Sequence, residues 1–439
     1  MTAPGLLPGR SPSRRRRRRP AACPTFGTGA SSVALAVVVA LVVSACGGPP
    51  ATSSPPSTKQ PMSLNAFYRT PDPLVAAPPG TMIRSEKLPG SADPGVDANV
   101  YRVLYHSRSI TGKDIAVSGI IAVPRHAPAS GGYPIVTWAH ATTGIADSCA
   151  PSRQPTTGIA YLQSWIDAGY VVAATDYEGL GTAGVHPYLV GESEGRSVLD
   201  AARAARHFVG SRASDSVVIE GHSQGGHAAL FAGQLAHTYA PDLHVVGTVA
   251  LAPVSTVAAL APVIPGPDPD PGSAITIMAL AAWSKVYTNM PLDLALSPAS
   301  TKIADATIGT VCAPQVSAAF SSTPTDQIFR PGWSTKPVAA AHIAANDPGG
   351  MHTQSPVLVV QGTADSLITA ATTESMVSER LCAGQHDTVQ LALYQGDDHG
   401  TVLTDSQAMV AMWVAARLAG SPATNTCGRS PTVYPGSGL

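Results

Sequence analysis

The sequence predicts an α/β fold: a mostly parallel sheet with helices on both faces and an inserted helical cap. Three observations carry this. Short apolar, β-branched runs alternate with helix-like stretches along most of the 439 residues, the pattern of strands covered on both faces by crossover helices. The pentapeptide Gly221-His222-Ser223-Gln224-Gly225 stands between a strand-like run at 216–220 and a helix-forming run at 226–232, and so reads as strand, sharp turn, helix. Between Val254 and Gly350 the alternation lapses, over a stretch too long for a loop in a compact domain and too apolar for disorder. That stretch, about 254–350, is read as the cap; a helix-like run at 274–286 lies within it, beyond a Pro/Gly loop at 265–272.

The amino terminus has a different character. Six arginines, Arg14 to Arg19, precede an apolar run at 33–43 and then Val43-Ser44-Ala45-Cys46. A positive stretch, a short apolar stretch and small residues before a cut describe an export signal, and the apolar run is too short for an ordinary membrane span. Small residues directly before a cysteine resemble the bacterial lipoprotein box. Residues 1–45 are therefore expected to be a lipoprotein-type signal peptide, and Cys46 the lipidated first residue of an exported chain, anchored to the membrane at the cell surface or else released. Residues 46–62, rich in Pro and Ser, are expected to be a flexible tether, and 63–439 the folded domain.

Removing residues 1–45 takes seven of the 27 basic residues and none of the 28 acidic ones, leaving a net charge of −8 with histidine neutral. A body of that charge is a poor partner for nucleic acid. Of the six cysteines, cleavage removes Cys23 and lipidation occupies Cys46. Cys149, Cys312, Cys382 and Cys427 remain, an even set in an oxidising compartment, and two disulfides are the simplest account, with three connectivities open. No Cys-x-x-Cys or close Cys/His spacing suggests a metal site.

Along the domain, strand-like alternation at 82–85 is followed by runs at 100–105 and 115–123, which flank the turn Thr111-Gly112-Lys113 and read as an antiparallel hairpin. The runs at 134–139 and 170–175 are continuously apolar, as buried parallel strands are. A helical stretch at 159–168 separates them. Apolar residues Val198, Leu199, Ala201, Ala202, Ala205 and Phe208 make 197–209 an amphipathic helix ahead of the Ser223 strand. Further strands are expected at 245–251, 356–361 and 388–394.

In a Gly-x-Ser-x-Gly turn the glycines admit close backbone approach and the serine Oγ projects from the top of the sheet, so Ser223 is the candidate nucleophile. Serine needs a histidine to take its proton, and the histidine needs an acid to hold its tautomer. In chain order the acid and then the histidine follow on loops after successive strands. Asp365, in Gly362-Thr363-Ala364-Asp365, and His399, in Gly396-Asp397-Asp398-His399-Gly400, occupy those places. Asp397 and Asp398 are rival acids, and His342 and His352 rival bases, less well placed. An oxyanion needs two backbone N–H donors: Gln224, after the nucleophile, and Thr142 or Thr143 in the loop after the 134–139 strand. Asp176, Tyr177 and Glu178 are read as supporting structure.

The segments Trp138-Ala139-His140-Ala141-Thr142-Thr143-Gly144, Asp176-Tyr177-Glu178-Gly179-Leu180-Gly181, His186-Pro187-Tyr188-Leu189, the Ser223 turn with Gly226-His227, and the Asp365 and His399 loops together resemble the secretory lipase family, the fungal lipase A type and its actinobacterial relatives, from about Phe67 to about Cys427. The resemblance implies an α/β-hydrolase with a lid or cap that cleaves carboxylic esters, including triacylglycerols, without a cofactor. With Cys149-Ala150-Pro151-Ser152, it also implies pairing of Cys149 with Cys312 and of Cys382 with Cys427. Ala141 stands where the family commonly shows glycine. The expected function is a serine carboxylic-ester hydrolase acting on an acyl-ester or lipid substrate. An acyltransferase or amidase using the same triad, or a catalytically silent envelope protein for which Ala141 is the only support, are the alternatives.

Overall fold

The structure is a computed structural model that describes residues 62–89, 96–154, 158–258 and 272–437. The expected signal peptide, Cys46, the expected tether up to residue 61 and the Pro/Gly stretch at 265–271 lie outside the described residues. Ten strands form one sheet: β1 (Met82–Lys87), β2 (Ala98–Arg108), β3 (Asp114–Pro124), β4 (Tyr133–Ala139), β5 (Val171–Thr175), β6 (Ala213–His222), β7 (His244–Leu251), β8 (Val357–Gly362), β9 (Val389–Gln395) and β10 (Thr432–Pro435). Their spatial order is β1-β2-β3-β5-β4-β6-β7-β8-β9-β10. The first three pairings are antiparallel and all the rest parallel. The expected hairpin is β2 with β3, turning at Gly112, whose φ of 79° suits a residue without a Cβ.

Eleven α-helices are described: α1 (Leu64–Tyr68), α2 (Leu162–Asp167), α3 (Gly191–Val209), α4 (Gln224–Tyr239), α5 (Gly272–Val286), α6 (Pro298–Thr307), α7 (Ala313–Phe320), α8 (Thr325–Ile328), α9 (Pro337–Asn346), α10 (Ala370–Ser375) and α11 (Thr401–Leu418). On one face of the sheet Ile135, Ala173 and Ile219 pack against Val198, Ala202 and Ala205 of α3 and Ala228 and Ala232 of α4. On the other, Val136, Val172 and Val218 pack with Trp165 of α2 and Val410, Trp413 and Val414 of α11. Burial on both faces is why β4 and β5 read as unbroken apolar runs rather than alternating ones.

The helix α3 begins at Gly191, six residues before the amphipathic stripe marks it, because its first turn is polar: Glu192, Ser193 and Glu194 precede the apolar face. The sequence pattern did not mark α11 or β10. Between β7 and β8 the described chain is helical, and its Ile277, Met278, Trp283, Phe320, Phe329 and Trp333 form a core that also takes in Tyr188, Leu189, Val190 and Ile368. Both disulfides form with the pairing the resemblance implied, Cys149 to Cys312 and Cys382 to Cys427.

Candidate active site

Ser223 occupies the one-residue turn between β6 and α4, with φ 58° and ψ −117°, a conformation that L-residues avoid. The turn is held by Ser223 N–H donating to Leu251 O (2.9 Å) and by Ser223 O accepting from His227 N–H (3.1 Å) and Val254 N–H (3.2 Å). The flanking glycines serve close approach rather than unusual dihedrals. A Cβ on Gly221 would lie 2.1 Å from Gly225 O, and one on Gly225 would lie 1.9 Å from Ala139 O. The second figure places the end of β4, and with it the start of the 140–144 loop, hard against the turn.

Asp365 follows β8 and His399 follows β9, neighbouring parallel strands, so their loops emerge side by side. The His399 imidazole faces the acid, Nδ1 to Asp365 Oδ2 at 2.7 Å. Asp365 Oδ1 accepts the N–H groups of Leu367 (2.9 Å) and Ile368 (2.8 Å), and Gln361 Nε2 donates to Oδ2 (3.0 Å). Burial pushes this carboxyl up, but the hydrogen bond and charge of His399, with the Ile368 amide and Gln361, outweigh it and hold the group below its ordinary range. Asp365 is thus built to stay ionised beside a histidine.

His222, the residue before Ser223, ties the two halves together. Its Nε2–H donates to the backbone oxygen of His399 at 2.9 Å, and the two rings lie 4.8 Å apart. Desolvation, then the neighbouring His399, lowers its pKa to about 4, which keeps it neutral. The sequence reading passed over His222 and Gln361. For His222 the signal was its place in the pentapeptide; Gln361 carried only its position at the end of a strand.

The loop after β4 is held as firmly. Tyr177 Oη donates to His140 O (2.9 Å), and the rings lie 4.5 Å apart. Burial lowers the His140 pKa to about 4, so the ring is neutral and its Nδ1–H donates to Ala141 O at 2.6 Å. Ala141 is not in the left-handed region, so its Cβ brings no backbone strain. Thr142 Oγ1 and Tyr188 Oη share a hydrogen bond of 2.7 Å, and Thr143 O accepts Ala313 N–H of α7 at 2.9 Å. Gln224 opens α4, where backbone N–H groups point out of the helix start.

The rival residues have other partners. Asp398 Oδ1 accepts the N–H groups of Gly400 (2.9 Å) and Thr401 (2.8 Å) at the start of α11. His342 stacks on Tyr287 and pairs with Asn289, and His352 pairs with Asp387. Asp176 is buried and bonded to Ser118 Oγ (2.6 Å) and Ser152 N–H (2.9 Å), the supporting position the sequence suggested.

A family model described as Secretory lipase matches residues 155–426. Among curated proteins the chain is similar to Lipase A of Moesziomyces aphidis, 30% identical over 197 residues, 41% of each chain. It is similar also to a probable inactive lipase of Mycobacterium tuberculosis, 28% identical over 209 residues, 44% of this chain and 46% of the relative. These matches span less than half the length of either relative. Among solved structures, Candida antarctica lipase A in its closed state superimposes with a TM-score of 0.72 at 19% identity, covering 84% of this chain and 88% of that one, which makes the fold an α/β-hydrolase. The family match spans well over half of the sequence, and the chain belongs to the secretory lipase family.

Proposed function

We propose that the protein is an exported serine carboxylic-ester hydrolase, a lipase or esterase acting on acyl esters or triacylglycerols. The observation that carries this is the Asp365–His399 hydrogen bond of 2.7 Å, in a loop fastened to His222 beside the strained Ser223. Ser223 Oγ attacks the ester carbonyl while His399 Nε2 takes its proton, and Asp365 stabilises the imidazolium through Nδ1–H. The tetrahedral oxyanion is received by the N–H groups of Gln224 and of Thr142 or Thr143. Collapse expels the alcohol, which leaves with the proton from His399. Water then attacks the acyl-enzyme with His399 again as base, and the carboxylic acid departs.

Membership of a secretory family and the two disulfides support export, and the sequence at 1–46 supports a signal peptide with lipidation of Cys46, which would hold the enzyme at a membrane. The helices between β7 and β8 are the candidate cap. One second reading has an observation behind it: the Mycobacterium tuberculosis relative is described as probably inactive, which favours a silent scaffold. Incubating the exported protein with p-nitrophenyl esters of increasing chain length, beside Ser223→Ala and a fluorophosphonate probe, separates these readings. Hydrolysis and labelling that both vanish in Ser223→Ala support the hydrolase. An absence of both in the wild type sinks it in favour of the scaffold, and transfer of the acyl group to an added alcohol in preference to water identifies an acyltransferase.

A further inference from the structure

Joined to the turn through Gln224, a polar network lies wholly in the interior. Glu194 of α3, His227 of α4 and His186 have no exposed surface, and Gln224 and Asn346 are almost as deeply buried. His227 Nε2 lies 2.7 Å from Asn346 O, which can only accept, so this nitrogen carries a proton. His227 Nδ1 lies 2.8 Å from Glu194 Oε2, and that contact requires one further proton, on whichever atom it sits. Glu194 Oε1 accepts two N–H groups, from Leu189 backbone (2.9 Å) and Gln224 Nε2 (2.8 Å). Leu189 is itself left-handed, with φ 53°, so Glu194 also fixes a strained loop.

The second N–H of the Gln224 amide has a defined acceptor as well. His186 Nδ1–H donates to Glu178 O at 2.9 Å, leaving its Nε2 lone pair to receive Gln224 Nε2 at 3.1 Å. The side chain of residue 224 is therefore clamped at both hydrogens, while its backbone N–H is the donor assigned to the oxyanion. We propose that Glu194 and His227, sharing one buried proton, are positioning residues that aim the Gln224 amide at the oxyanion and couple it to α9 through Asn346. Neither touches substrate; they act through the Gln224 side chain and the first turn of α4. The inference rests on the hydrolase reading.

The test uses the exported protein with a short-chain p-nitrophenyl ester, active sites titrated with the fluorophosphonate probe. Glu194→Ala and His227→Ala are expected to lower kcat about 10- to 100-fold, below the loss on deleting an oxyanion donor outright, with KM held within about threefold. The rate of probe labelling should fall in parallel, because the phosphonyl oxygen uses the same donors. Glu194→Gln should recover activity to within about threefold, since its carbonyl accepts from Leu189 and Gln224 and its amide donates to His227. Should the alanine variants fail to fold, Gln224→Met keeps the backbone N–H and removes only the clamp, and about a tenfold loss in kcat at an unchanged melting temperature is expected. A variant set that loses melting temperature but keeps wild-type kcat and labelling rate per titrated site overturns the proposal, as does wild-type kcat in Gln224→Met. Wild type that hydrolyses no ester marks the failure of the hydrolase reading itself, and the positioning proposal falls with it.

Discussion

On the His399 side of Ser223 the positioning groups come from the ends of neighbouring parallel strands: Asp365 after β8, His399 after β9, Gln361 within β8 and His222 at the end of β6. On the Gln224 side they come from α3, α4, the 186–190 loop and helices inserted between β7 and β8, with Asn346 of α9 and Cys312 before α7 reaching the site from the insertion. The first set inherits its geometry from the sheet's register. The second depends on a segment that shares its hydrophobic core with Tyr188, Leu189, Val190 and Ile368 outside it, and that hydrogen bonds and one disulfide also fasten. The Asp365–His399 pair and the Gln224 amide are thus held by structurally different means.

The largest effects should fall on the strand side. Ser223→Ala is expected to lower kcat/KM by about 10⁴–10⁶, and Asp365→Asn by about 10²–10⁴ through the wrong histidine tautomer, both read with p-nitrophenyl butyrate. A loss under tenfold in Asp365→Asn would show that another acid orients His399. The two disulfides differ in what they fasten. Cys149→Ser with Cys312→Ser cuts the tie between the 140–149 loop and the inserted helices, and about a tenfold fall in kcat is expected besides a stability loss of about 2–4 kcal/mol. Cys382→Ser with Cys427→Ser removes a bond between segments away from the Ser223 turn, and should cost comparable stability with kcat within about twofold. Equal kcat losses in the two pairs would break the distinction.

A smaller effect belongs to the sheet alone. Glu220, on β6 three residues before Ser223, is fully buried, and burial pushes its carboxyl up to about 8, with the Trp165 indole drawing it slightly down. The unfolded chain releases this proton near the ordinary value of 4.5 while the folded chain keeps it to about 8, so stability falls as pH rises across that window. Glu220→Gln should remove the slope, gaining about 2–4 kcal/mol at pH 8 and nothing near pH 4, with kcat unaffected. Denaturant midpoints at the two pH values measure it; parallel pH profiles for wild type and variant would count against a protonated Glu220.

What was legible in the sequence follows the same division. Asp365 and His399, which the structure pairs, and Ser223 at the end of β6 could each be named from the sequence because each lies directly beyond an apolar run, and a parallel sheet turns that local signal into a shared edge. The buried partners were not. Glu194 sits in a polar first turn that reads as an exposed helix start, and its contact with His227 spans 33 residues of sequence. The short helices of the insertion bury few side chains, Val316 and Phe320 in α7 and Ser300 and Ala304 in α6, too few to set a period. Helix α11 buries one face, with Val402, Ser406, Met409, Val410, Trp413 and Val414, but Leu403, Met412 and several alanines spread apolar residues round the helix and blur the stripe in the sequence.

The dihedral angles of Ser223 have a consequence for how activity and durability trade against each other. Glycine reaches φ 58°, ψ −117° at far lower cost than serine does, so Ser223→Gly should be more stable than the wild type by about 1 kcal/mol, whereas Ser223→Ala, with its Cβ retained, should not. Matched melting curves of the three proteins decide it, and a Ser223→Gly variant no more stable than Ser223→Ala would mean the turn is unstrained. If the gain is found, the proposed nucleophile is a residue that the fold alone would be better off without, as a side chain kept for chemistry against the folding equilibrium would be.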